Sequence, residues 1–151
     1  MNKLVDLLDT IEFNQVVIFV KSNKRAEELS KYLISVDFPN TYLTSDMRTE
    51  NRIANFKLFK EYKYRILIST KLAGRGIDIE KVNVVINYDF PEQADEYLHR
   101  VGRAGRFGTN GLAISFISNN DEAKIMEQVQ LKFKVEIPTL PDFIDKSLYM
   151  K

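Results

Sequence analysis

The sequence predicts an α/β fold, with a mostly parallel sheet covered by helices on both faces, and two observations carry that reading. Short unbroken apolar runs such as Val16, Val17, Ile18, Phe19 and Val20 are too short for helices and too apolar for a sheet with one wet face. These runs alternate with longer stretches of helical spacing, the order that parallel strands joined by right-handed crossovers require. A three-layer α/β/α sandwich in one domain over residues 1–151 follows, since 151 residues with 44% hydrophobic content build one substantial core.

Leu4, Leu7, Leu8 and Ile11, set among Asp6, Asp9 and Glu12, have helical spacing and read as an amphipathic helix on the domain surface. The run at 16–20 is a central strand. It stops at Lys21, and Ser22 or Asn23 caps a helix carried by Ala26, Leu29, Tyr32 and Leu33. Pro39 and Asn40 mark a turn before a weaker strand at 41–44. Thr49 opens a helical pattern through Ile53, Phe56 and Phe59, with Arg52 on its flank, and 65–70 is another buried strand. A glycine-rich loop at 71–78 leads to a strand at 82–88, then to a short helix at 92–101. The last strand lies at 112–117, Asn119 or Asn120 caps a closing helix, and the tail with Pro138, Leu140 and Pro141 lies along the surface.

Composition excludes several classes of function. The chain has no cysteine and a single histidine, so disulfide frameworks, thiolate metal sites and histidine clusters are ruled out, and no metal ligands are assigned. A net charge of +1 provides no global field to attract nucleic acid, so any anion site comes from local clustering. No signal peptide and no apolar run long enough to span a bilayer is visible, which makes an intracellular, soluble protein without a membrane partner the expectation.

In a parallel sheet, ligands bind beyond the carboxyl ends of the strands, and 21–22, 44–47 and 70–78 all follow strand ends. One rim therefore gathers polar residues that are scattered along the sequence. In the run at 99–108, Arg100, Arg103 and Arg106 recur every third residue and project toward one side of a helix. Gly102 and Gly105 between them each cost a helix interior about 1 kcal/mol relative to alanine. The composition suits a phosphate group approaching the backbone closely, because glycine clears space and arginine presents a charged fork. A solvated arginine-rich flank explains the glycine spacing less well. In the loop at 69–78, Thr70 offers a hydroxyl, Gly74 and Gly76 permit close approach, Arg75 adds charge and Asp78 accepts from ribose hydroxyls. By itself that loop reads equally as a glycine turn capped by Asp78.

Together these stretches resemble the C-terminal half of a DEAD-box RNA helicase over nearly the whole chain. VVIFVKS at 16–22 looks like motif IV, STKLAGRGID at 69–78 like motif V, and HRVGRAGR at 99–106 like motif VI, in the family's order. EFNQVVIFVKS, GRGIDIEKVN, YLHRVGRAGRFGTNGLAISF and LPDFID are similar to the nuclear branch acting in spliceosome assembly and mRNA export, whose other half carries DECD. The resemblance implies a RecA-like domain. It makes Arg103 and Arg106 arginine fingers that reach the γ-phosphate of ATP, with Asp78 at the ATP ribose or coupling it to the fingers, beside Gly76. Ser22, by a backbone contact, and Thr70, Gly74, Arg75 and Gly76 meet RNA phosphates, with Arg52 a lesser candidate, while His99 and Arg100 link the nucleotide cleft to the RNA surface. A single histidine beside an apolar face is equally compatible with a structural role.

Two positions depart from the family. Thr44, Ser45 and Asp46 hold no glycine before Met47, and Thr49 replaces a glutamine, so Asp46 is expected to repel phosphate unless its side chain turns away. The chain also lacks a GxxxxGK[ST] loop and an Asp-Glu pair after a strand, which an ATPase of this class needs for triphosphate and Mg²⁺. ATP with Mg²⁺ is therefore expected to be bound mainly by an N-terminal RecA-like domain absent from this chain. That domain, RNA gripped by its sugar-phosphate backbone without strong sequence specificity, and splicing and export proteins are the expected partners, in the nucleus. The isolated half is expected to be inactive. A non-catalytic RNA-binding or adaptor module is the alternative, but it calls for a broader basic surface or a stacking platform, and Tyr42, Tyr88 and Tyr97 read as core or strand residues. No GxGxxG follows the first strand, which argues against a dinucleotide-binding domain.

Overall fold

Apolar side chains on both faces place β1 (Gln15–Val20) in the middle of the sheet, and all six of its residues are buried in the computed structural model. The structure describes residues 2–70, 81–101, 111–134, 136–141 and 143–150, without the side chains of 98, 99, 101 and 148. Around β1 run β2 (Thr41–Leu43), β3 (Ile66–Thr70), β4 (Val82–Asn87) and β5 (Leu112–Ser115), in the order β2-β3-β1-β4-β5. Every pairing among these strands is parallel. The helices are α1 (Asn2–Thr10), α2 (Asn23–Ser35), α3 (Thr49–Lys60), α4 (Ala94–Val101) and α5 (Asn120–Phe133).

Alternation along β1 divides its side chains between two layers. Val16, Ile18 and Val20 join Leu4, Leu7 and Leu8 of α1 and Ala26, Leu29 and Leu33 of α2 in one cluster. Val17 and Phe19 join Phe59 of α3 with Leu43, Leu67 and Val85 in the other. Helices therefore cover both faces, as the apolar strands require. A third cluster of Phe90, Tyr97, Met126 and Val129 packs α4 against α5. Gln15 is the polar member of the central strand. Its Nε2 donates to the carbonyls of Phe59 at 2.7 Å, in the last turn of α3, and Tyr64 at 3.0 Å, in the link to β3.

Both capping choices resolve to the first residue of each pair. Ser22 Oγ accepts from the Arg25 N–H at 3.2 Å to start α2, and Asn119 Oδ1 accepts from the Glu122 N–H at 2.8 Å to start α5. Strand edges are shorter than the sequence suggests: β4 ends at Asn87 and β5 at Ser115. Ile53 is 62% exposed, so the apolar stripe expected on α3 reduces to Phe56 and Phe59. The tail departs from a purely surface course. A 3-10 helix at Lys146–Leu148 is followed by Tyr149, which is buried in the core and whose carbonyl accepts from Asn83 Nδ2 at 3.2 Å. Among the described residues, no helix is long and apolar enough to cross a membrane.

Candidate functional site

Register brings the strand ends level. Val20 pairs with Thr70, Leu43 with Ser69, Phe19 with Asn87, and Asn87 with Ser115. Residues 21–22, Thr44, Thr70 and 88–89 thereby share one rim, although they are separated along the sequence. The chain leaves β1 toward β2 through α2, and leaves β4 toward β5 through α4, so the direction of winding reverses at the crevice between β1 and β4. Crevices of this kind hold ligands in open α/β sheets.

Asp89 stands at this crevice. Its N–H donates to the Phe19 carbonyl at 3.2 Å, and its carboxylate accepts from the Lys21 N–H at 2.8 Å. Arg25 closes a fork on the same carboxylate, Nε to Oδ2 at 2.8 Å and Nη2 to Oδ1 at 2.6 Å. The hydrogen bond to Asp89 raises the Arg25 pKa above its ordinary value, against the opposing effect of burial. The Arg25 guanidinium also lies 5.4 Å from the centre of the Tyr88 ring.

Arg100, expected to link nucleotide and RNA surfaces, is 5% exposed. One of its amino groups donates to Asn87 Oδ1 at 3.2 Å and to the Asp89 carbonyl at 2.8 Å, and the other reaches Glu96 at 3.4 Å. Asn87 Nδ2 in turn donates to Ser115 Oγ at 2.9 Å. The Arg100 guanidinium sits 5.0 Å from the Phe19 ring centre, and burial lowers its pKa despite the nearby Glu96 carboxylate. The side chain is thus anchored inward, fastening α4 to the ends of β1 and β4.

On the other side of the rim, the loop after β2 is braced locally. The Ser45 N–H donates to Asn23 Oδ1 at 3.2 Å, which joins this loop to the start of α2. Thr44 Oγ1 donates to Asp46 Oδ1 at 2.6 Å, so the carboxylate that departs from the family pattern is engaged by its neighbour. Thr70 Oγ1 and Arg52 Nε are buried with no hydrogen-bond partner among the described residues. Such orphaned donors fit an incoming phosphate oxygen. Gly74, Arg75, Gly76, Asp78, Arg103 and Arg106 lie outside the described residues, as does the side chain of His99, whose backbone belongs to α4. Tyr97 is buried, and Tyr42 and Tyr88 pack against the core, as read from sequence. Sequence reasoning missed Arg25, Asn87 and Asp89; the available signal was a run of polar residues immediately following an apolar strand.

The helicase conserved C-terminal domain family matches residues 1–108. DEAD-box ATP-dependent RNA helicase 15 of Arabidopsis thaliana is 57% identical over 148 residues, covering 98% of this chain and 35% of the relative. The chain belongs to the DEAD-box members of that family. The ATP-dependent RNA helicase SUB2 of Meyerozyma guilliermondii is 55% identical over 149 residues, covering 98% of this chain and 34% of the relative. Among solved structures, S. cerevisiae Dbp5 bound to RNA and ADP BeF3 superposes with a TM-score of 0.83 at 34% identity, over 89% of this chain and 36% of that one. The fold is the C-terminal RecA-like domain of this family, and the chain spans about a third of the length of the curated relatives it matches.

Proposed function

We propose that this chain is the C-terminal half of an ATP-dependent RNA helicase that acts on RNA in pre-mRNA splicing and mRNA export in the nucleus. The observation that carries this reading is the rim: parallel register collects residues 21–22, Thr70 and 88–89 beside a crevice, where the buried Thr70 Oγ1 has no hydrogen-bond partner among the described residues. The match to a Dbp5 structure holding RNA and ADP BeF3 supports it, and the similarity to SUB2 supports the branch.

The main chain of Ser22 and the residues Thr70, Gly74, Arg75, Gly76 and Arg52 hold RNA by phosphate and sugar contacts, which position a strand without reading its bases. Arg103 and Arg106 enter the cleft between this domain and an N-terminal RecA-like domain, where they stabilise charge on the γ-phosphate during transfer. Asp78 meets the ribose of ATP or couples it to the fingers. His99 and Arg100 connect the two surfaces. ATP and Mg²⁺ are held mainly by the N-terminal domain, and closure of the two halves bends a short RNA segment out of duplex geometry.

The test is RNA-stimulated ATP hydrolysis by this chain joined to the N-terminal half of the Arabidopsis relative. Arg103→Ala or Arg106→Ala each lowers kcat by about 10³-fold or more while RNA binding persists. Hydrolysis that survives both substitutions overturns the finger assignment.

A further inference from the structure

Two of the proposed RNA contacts belong to the starts of two different helices. Ser22 caps α2, while Arg52 lies in the first turn of α3, where its N–H donates to the Arg48 carbonyl at 3.0 Å and its buried Nε has no hydrogen-bond partner among the described residues. The start of α2 is fixed by its own cap. Arg48 makes no side-chain cap bond for α3, so the placement of that helix start falls to the turn leading into it, residues 44–47.

Inside this turn the bonds are local. Thr44 Oγ1 donates to Asp46 Oδ1, the Met47 N–H donates to the Thr44 carbonyl at 3.3 Å, and the Thr44 N–H donates to Met47 Sδ at 3.3 Å. Among the described residues, the bonds that carry residues 45–47 to another element all go to Asn23, the neighbour of Ser22. Asn23 Oδ1 accepts from the Ser45 N–H at 3.2 Å, and Asn23 Nδ2 donates to Ser45 Oγ at 3.1 Å. Two bonds between one pair of residues fix an angle as well as a distance. They lie at the surface, where water competes for the same groups, so they add little to stability and their consequence is geometric. From this we infer that Asn23 is a positioning residue for RNA: tied to Ser45, it sets the span between the Ser22 main chain and the Arg52 guanidinium so that one RNA backbone meets both. When two contacts act on one strand, the second is made at an effective concentration set by how well its place is held. The inference rests on the proposed helicase function, and Asn23 acts through Ser45 without touching RNA.

The experiment uses the joined enzyme and a short labelled single-stranded RNA, with affinity measured by fluorescence anisotropy and ADP–BeF3 present throughout. Wild type, Asn23→Ala, Arg52→Gln and the double variant complete a double-mutant cycle. In Asn23→Ala, α2 keeps its Ser22 cap and gains the best helix former at the vacated position, so the variant folds. Asn23→Ala and Arg52→Gln each weaken binding about tenfold, and the double variant is weaker than either by no more than about twofold, because both substitutions remove the same contact. Ser45→Ala, which removes one of the two bonds, weakens binding about threefold. An Asn23→Ala enzyme that binds RNA like wild type overturns the inference. So does additivity in the cycle, which a direct contact between Asn23 and RNA, or a loss of stability alone, produces. If Arg52→Gln leaves wild-type affinity intact, the Arg52 assignment and this inference fall while the rest of the proposed function stands. A wild-type joined enzyme that does not bind RNA overturns the proposed function, and this inference with it.

Discussion

Ser22 commits its hydroxyl to the cap of α2 and its carbonyl to the Ala26 N–H at 3.1 Å, and the RNA contact proposed for it is a main-chain one that does not use the hydroxyl. Ser22→Ala therefore lowers the unfolding free energy of the domain by about 1 kcal/mol in urea titration, the ordinary cost of an N-cap. RNA affinity of the joined enzyme stays at the wild-type value; a large loss of affinity would show that the hydroxyl itself contacts RNA. Sequence left Ser22 and Asn23 equal because either side chain suits the position, and it is the tie from Asn23 to Ser45 that separates them. Asp46 was read as a threat to phosphate binding. The Thr44 hydroxyl instead donates to it, a bond the sequence does not single out because one two residues away is among several turn geometries open to such a side chain. Arg100 opens the arginine run in sequence, and its burial depends on Asn87 and Asp89, whose approach only the folded sheet reveals.

At the scale of elements, apolar runs and helical spacing located all five described strands and all five described α-helices. What they located poorly was ends and faces. β4 and β5 stop before Tyr88 and Phe116, both still packed beside the core, so composition marks no boundary there. The tail was read as superficial on the strength of its prolines, yet Tyr149 enters the core beyond the short 3-10 helix. Asp145 caps that helix, its carboxylate accepting from the Ser147 N–H at 2.9 Å, and this bond holds its pKa below the ordinary 3.8. A depressed carboxyl pKa contributes stability above the unfolded value, and that contribution is lost as pH falls through the folded value. Denaturant unfolding measured from pH ~5 down to pH ~2.5 should show a shallower acid loss in Asp145→Asn than in wild type. Identical slopes would remove the cap from the acid response.

At the scale of the whole molecule, parallel pairing turns separate motifs into one rim, and this much was legible because unbroken apolar strands force that topology. The Arg25–Asp89 pair was not legible, since no local pattern links residues 64 positions apart. Resemblance supplied the roles of Arg103, Arg106 and Asp78, and the relatives, of which this chain spans about a third, supply the context for a second domain. The central claim is that this rim works only when closed against that domain. It is tested most directly by measuring RNA-stimulated ATP hydrolysis for the chain alone, the N-terminal half of the Arabidopsis relative alone, and the two joined. The account predicts no hydrolysis above background from this chain, little from the N-terminal half, and RNA-dependent turnover when they are joined. Hydrolysis by this chain alone, or a joined enzyme no more active than its N-terminal half, would contradict it.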